Sequence, residues 1–211
     1  MNTMRRRQVL FFLASAPLAD AAWAQSQAGA PFRTVSINGI DGLMLEGHDP
    51  VAYFTQGAAV KGDPAIVLDH AGVRWRFSTE ANKASFLANP SRFMPQFGGY
   101  CSNGINYAIP GGGGGGPDTW RIYRGKLYAF GGQSARDHFE MDTELNIRRA
   151  HQYWDTEVAG SNPPLQRLKR MVFRVPHYKS DAALQAEWLA RRDAGTLPVM
   201  PGAAQVVPAS A

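Results

Sequence analysis

Six consecutive glycines, Gly111–Gly116, stand between Pro110 and Pro117. No other composition loses as much conformational freedom on ordering, so this stretch is expected to be a mobile loop, with the regular elements on either side of it. Before it, Thr34–Ile37 and Gly42–Glu46 read as short strands, the first followed by the turn signal Asn38-Gly39. The apolar Val51–Thr55 leads into a glycine-containing loop. Ala65–Asp69 and Val73–Ser78 flank His70-Ala71-Gly72 and predict a hairpin. In its second arm Val73, Trp75 and Phe77 alternate with Arg74 and Arg76, which places the apolar side chains inward. Ser78 is expected to cap a helix running from Glu80 to Ala88, which Asn89-Pro90 ends.

Beyond the glycines, Thr119–Tyr123 and Lys126–Phe130 predict a second hairpin around Arg124-Gly125. Ser134–Glu140 and Thr143–Val158 read as helices, the latter with Leu145, Ile147, Ala150, Tyr153 and Trp154 on its apolar face. Asn162-Pro163-Pro164 breaks the chain. Ser180 then reads as the N-cap of a helix over Asp181–Ala194, with Gly195 just past its end and Leu184, Trp188 and Leu189 as its stripe. No internal repeat is visible. The expected class is α+β: a small antiparallel sheet of hairpins with connecting helices and a C-terminal helical extension. A length of 211 residues suits one domain with extensions. The expected divisions are a domain over residues 35–158, a basic helical extension over 159–195 and a disordered tail over 196–211.

The start of the chain reads as an address. Arg5, Arg6 and Arg7 precede the apolar stretch Val9–Ala19, and Ala22-Trp23-Ala24 supplies a small-x-small cleavage pattern. Residues 1–24 are therefore expected to be a cleaved export signal. The arginine pair followed by Gln8-Val9-Leu10 is twin-arginine-like, which points to the periplasm. Residues 25–34 form a leader. No apolar run reaches the roughly 18 residues of a membrane span.

Charge narrows the partners. The formal net charge is +5, from 22 Lys+Arg and 17 Asp+Glu. Residues 25–158 hold 12 basic and 13 acidic residues, whereas 159–211 hold 7 and 3. The sequence pI of about 9.6 thus comes from the two ends. The central domain lacks the basic footprint of a nucleic-acid binder. A single cysteine, Cys101, excludes internal disulfides and every site needing two thiolates.

Six motifs in order carry a resemblance. They are Gly47–Phe54 (GHDPVAYF), Val60–Pro64 (VKGDP), Trp75–Ser78 with Phe86, Asn89-Pro90 and Phe93, Pro95–Ser102 (PQFGGYCS), Asp118 and Trp120 with Gly125–Tyr128 (GKLY), and the helix 143–158. Over residues 35–158 the chain resembles exported bacterial YHS-domain proteins. The resemblance implies a small α+β module related to metal-binding treble-clef-like domains. In copper-transporting ATPases the YHS module carries paired cysteines, and Ala52 and Ser78 stand here where those are expected. The exported branch keeps the cysteine of GGYC, here Cys101, and some of its members have selenocysteine there. His48 replaces the usual tyrosine, Asp-Thr-Trp replaces Asp-Pro-x-Trp, and the six glycines lengthen a loop that is shorter in the family.

The candidate chemistry centres on Cys101, which follows Gly98-Gly99-Tyr100. A thiol at such a turn can be held by neighbouring amides, or it can be an inert small hydrophobe. His48 with Cys101 would suit copper or zinc, with Asp49 orienting the imidazole or completing the site. Tyr100 and Tyr128 are candidates to line a cofactor pocket. Tyr53, Phe54 and Trp120 are aromatics of the same motifs, with Phe54 and Trp120 read as core. His70 is expected at a hairpin tip, and His138, His151 and His177 show no ligand spacing. The absence of CxxCH excludes covalent c-type haem, and non-covalent haem ranks below copper or zinc. Residues 167–174 mix arginine and lysine with Leu168, Met171, Val172 and Phe173 and suit contact with an anionic surface. No hydrolase constellation is present, and any enzymatic activity would be thiol redox chemistry at Cys101. Three readings stay open: a periplasmic module binding a metal or metallocofactor through Cys101, a thiol-based redox protein, and a structural or interaction module.

Overall fold

The computed structural model describes residues 43–107, 115–158 and 163–200. The export signal, the leader, the strand over 34–37 and the tail over 201–211 lie outside the described residues. So does most of the glycine loop. Its last two glycines are built into the fold: Gly115 N–H donates to the Gly99 carbonyl (2.8 Å), and Gly116 opens a strand.

The strand expected over Gly42–Glu46 does not form. Leu43 makes one parallel bridge to Arg74, and Met44–Gly47 then turns sharply through left-handed Leu45, Glu46 and Gly47. A one-turn helix α1 (Ala52–Thr55) leads into the hairpin β1 (Asp63–His70) and β2 (Val73–Phe77). The loop is two residues, Ala71-Gly72, both left-handed, so His70 pairs with Val73 instead of capping the tip. Val73, Trp75 and Phe77 are buried and Arg74 is exposed, as the alternation predicts. Thr79, not Ser78, caps α2 (Glu80–Ala88), its hydroxyl accepting from Asn82 N–H (3.1 Å). Pro90 begins the one-turn helix α3 (Pro90–Phe93), where its missing N–H costs nothing.

The next stretch repeats this plan. Gln96–Gly99 turns through left-handed Phe97, Gly98 and Gly99, then come α4 (Ser102–Asn106), the hairpin β3 (Gly116–Tyr123) and β4 (Lys126–Phe130), and α5 (Gln133–Glu140). The hairpins are offset by 53 positions throughout: 63 and 116, 70 and 123, 73 and 126, 77 and 130. Both carry the same register shift, between Asp63 and Val67 and between Gly116 and Trp120. Arg124-Gly125 repeats the left-handed pair Ala71-Gly72. Gly62 N–H reaches the Gly47 carbonyl (2.9 Å) as Gly115 reaches Gly99. The fold is therefore an internal duplication, with a first unit over 43–88 and a second over 95–140.

The second hairpin lies between two apolar clusters. Leu127, Trp120 and Ile122 join Met44, Val51, Tyr53, Trp75, Phe77 and Phe86, while Tyr128 and Phe130 join Phe97, Cys101, Phe139, Ala150 and Trp154. Burial on both faces explains the nearly continuous apolar run of β4. Tyr53 ties the units together: its hydroxyl donates to the Pro117 carbonyl (2.9 Å), and its ring meets Trp120 edge-on.

Helix α6 (Thr143–Tyr153) passes into a π turn over Trp154–Val158, where a single α-helix is expected from sequence. Ala150 and Trp154 are buried as expected, whereas Leu145 is exposed and Asn146 is buried. The extension contains α7 (Pro163–Val172) and α8 (Asp181–Asp193). Ser180 caps α8 as expected, and left-handed Gly195 ends it. Leu184 packs with Tyr107 and Met141 in a third cluster. Residues 196–200, placed with the tail from sequence, return to the domain, where Met200 is buried and Thr143 Oγ1 lies 3.2 Å from its sulfur.

Candidate functional site

The duplication places Asp49 and Cys101 at equivalent points, 52 positions apart, each just before the short helix of its unit. Asp49 is 0% exposed. Its Oδ1 accepts from the backbone N–H of Val51 (2.9 Å) and Ala52 (3.4 Å). Its Oδ2 accepts from Ser78 N–H (2.7 Å), Ser78 Oγ (2.6 Å) and Asn82 Nδ2 (2.7 Å). A buried carboxylate is tolerated because every donor around it is spoken for. The bonds join the start of α1 to the end of β2 and the first turn of α2.

Cys101 repeats this arrangement. The residue is 7% exposed, and the backbone N–H groups of Gly104, Gly131 and Asn103 are directed at its sulfur. Asn103, Gly104 and Gly131 are the counterparts of Val51, Ala52 and Ser78. Two side-chain donors are missing: Gly131 stands where Ser78 supplies a hydroxyl, and Ala135 stands where Asn82 supplies an amide. Burial raises the Cys101 thiol above its ordinary value, and the three N–H groups oppose that rise without cancelling it. The group is a neutral thiol at neutral pH.

Around the thiol, Phe97 packs against Trp154 (6.0 Å), His151 (4.9 Å) and Tyr128 (6.1 Å), and Tyr100 meets Trp154 edge-on (5.8 Å). Burial lowers the His151 pKa and raises that of Tyr128. Of the candidates for lining a cofactor pocket, Tyr128 is a buried core aromatic and Tyr100 is half-buried against the same cluster. The cavity of about 490 Å³ between α6 and residues 198–200 is lined elsewhere, by Tyr123, Glu144 and Arg148 among others.

The residues proposed as one metal centre do not come together. His48 stands in the first unit at the place that Tyr100 takes in the second, and its Nδ1 is bonded to the Leu45 carbonyl (2.9 Å). Asp49 spends both carboxylate oxygens on the donors above. Among the described residues no group of three or more His, Cys, Asp and Glu side chains is placed to hold a metal ion. Cys101, His48 and Asp49 are thus not gathered as three donors around one point. Tyr53, Phe54 and Trp120 pack in the first cluster. His138 is fully buried against α8 through Gln185 (3.1 Å), and His177 donates to the Asn106 carbonyl (3.0 Å).

Sequence reasoning missed Ser78 and Asn82 as partners of Asp49. Yet Ala52 and Ser78, the positions where the copper branch is expected to carry cysteines, do converge, both donating to the Asp49 carboxylate. Comparison with models of protein families, with curated proteins and with solved structures gave no match. None of the described helices is long and apolar enough to cross a membrane.

Proposed function

We propose that this chain is a YHS-type module that works by binding, with no catalytic step of its own, and that Cys101 belongs to its framework. The six ordered motifs support the family reading. The observation that carries the functional reading is the equivalence of Cys101 and Asp49. Asp49 is a structural clamp with no exposed surface, and Cys101 occupies the same clamp in the second unit with a weaker acceptor and fewer donors. A neutral, buried thiol is a poor nucleophile and a poor metal ligand. In this reading the module acts outside the cytoplasm after loss of residues 1–24, on the support of Arg5–Arg7, the apolar stretch and Ala22-Trp23-Ala24.

The test compares wild type with Cys101→Ser, whose hydroxyl accepts from the same N–H groups. The expected result is no labelling of the native thiol by an alkylating agent, equal metal content by elemental analysis, and a stability change of about 1 kcal/mol. Near-stoichiometric copper or zinc in wild type, lost in the variant, would overturn this reading in favour of a metal module.

A second reading is favoured by the three N–H groups at the sulfur, which stabilise negative charge there. In it the Cys101 thiolate attacks a peroxide oxygen, the O–O bond breaks, and Cys101 becomes a sulfenic acid as hydroxide or alkoxide leaves. An external thiol then condenses to a mixed disulfide with loss of water, and a second external thiol releases reduced Cys101. Rapid native alkylation with a pH midpoint near neutrality selects this reading over the first.

A further inference from the structure

Helix α7 is docked the wrong way round for a helix of a water-soluble fold. Over residues 168–172, whose side chains are described, the buried one is a cation: Arg170 is 5% exposed, its Nε 3.6 Å from Glu157 Oε2. The apolar residues of the same stretch face out, with Leu168 56%, Met171 60% and Val172 63% exposed, and Phe173 just past the helix end is 71% exposed. At about 100° per residue, Leu168, Met171 and Val172 share one face and Arg170 lies on the opposite side. Normal amphipathic packing would bury that stripe. Three large apolar side chains exposed on one face, with exposed Phe173 next in the chain, form the kind of patch that marks an interaction surface.

The charge beside the patch selects what covers it. Pro163–Ser180 contains Arg167, Lys169, Arg170, Arg174 and Lys179 and no Asp or Glu. Lys169 is exposed and reaches Glu157 only at 3.9 Å, and Arg174 is exposed beside Phe173, stacked on Tyr178. A second copy of the chain, related by a two-fold axis, would bring this cationic face against itself. An apolar stripe edged by Lys and Arg is instead the pattern of a helix lying in a lipid headgroup layer.

We propose that the outward face of α7, formed by Leu168, Met171, Val172 and Phe173 with Lys169 and Arg174, binds the surface of an anionic lipid bilayer. The apolar side chains enter the headgroup–acyl boundary and the two cations pair with lipid phosphates. This deepens the reading of the chain as a binding module by naming its partner, and so rests on that reading.

The test is co-sedimentation of the full chain with vesicles of phosphatidylglycerol and phosphatidylcholine, against phosphatidylcholine alone. Val9–Ala19 can itself enter bilayers, so each result is the difference between wild type and a variant carrying the same N-terminus. Lys169→Glu with Arg174→Glu should weaken binding to the anionic vesicles roughly 25-fold or more, at about fivefold per charge removed, and added salt should shrink the difference. Met171→Ser with Phe173→Ser should weaken binding by at least about tenfold. Both variants alter exposed side chains, and unchanged thermal unfolding verifies their fold. Equal vesicle binding by wild type and variants would overturn the proposal. So would a concentration-dependent dimer, abolished by the same variants without any difference on vesicles, which would assign the face to a second copy. Cys101→Ser should bind vesicles as wild type does, so failure at this surface is distinct from failure of the framework role of Cys101.

Discussion

At the scale of single residues, the same backbone cradle holds a carboxylate in one unit and a thiol in the other. The choice follows the donors. Five hydrogen bonds reach Asp49, two of them from the side chains of Ser78 and Asn82. Gly131 and Ala135 offer no side-chain donor at the equivalent points, and a weak acceptor that tolerates apolar surroundings fits better there. Asp49→Ala should therefore be far more damaging than Cys101→Ser. It strands several buried donors at once, and its expected cost is about 4 kcal/mol, a large share of a small domain's total stability. Urea unfolding monitored by tryptophan fluorescence measures it. A loss under about 1 kcal/mol would show that Asp49 is not a clamp. The motif around Asp49 was legible in the sequence. Its role was not, because three of the five bonds depend on how α1, β2 and α2 meet.

At the scale of elements, the hairpins were legible and the duplication was not. Val73–Phe77 alternates cleanly, and Ala71-Gly72 and Arg124-Gly125 supply the glycine that a left-handed two-residue turn favours. The duplicated turns at Leu45-Glu46 and at Phe97 place non-glycine residues at positive φ, against local preference, so no pattern announced them. Across the 53-residue offset the units share Gly62 with Gly115, Pro64 with Pro117, Gly72 with Gly125, Phe77 with Phe130 and Phe86 with Phe139, and little else nearby. Glycines serve two different ends. A Cβ on Gly115 would lie 2.1 Å from the Ala129 Cβ and under 3 Å from its backbone, and one on Gly62 would lie 2.6 Å from the Arg76 Cβ. Nothing stands within 4 Å of a Cβ on Gly72, whose φ is +76°. Gly115→Ala should cost about 3 kcal/mol, since backbone must move, and Gly72→Ala about 1 kcal/mol, from the left-handed turn alone. Thermal unfolding of the two variants tests this order, and a reversed order would refute the close packing of residue 115 on β4.

At the scale of the whole molecule, the extension and the two units are held together partly by imidazoles that burial keeps neutral. His151 packs against Phe97, and His177 links the segment before α8 to the Asn106 carbonyl at the end of α4. Burial is the main cause that lowers both below the ordinary 6.5. The unfolded chain therefore takes up protons at a pH where the folded chain does not. Stability is then complete above about 6.5 and falls as the pH drops below it toward the folded-state values. Glu187 acts in a separate window. Its hydrogen bond from Lys179, aided by Arg191, lowers its pKa below 4.5, so its contribution is present above that value and lost only at lower pH. Urea midpoints taken from neutral pH down to about 5 should thus fall through the histidine window alone. His151→Gln should flatten the decline, because the replacement cannot take up a proton. A midpoint constant over that interval, or a decline undiminished in His151→Gln and in His177→Gln, would mean that neither imidazole is held neutral by its packing. A decline cut mainly by His177→Gln would place the pH sensitivity at the docking of the extension, where α7 and its exposed apolar face are attached.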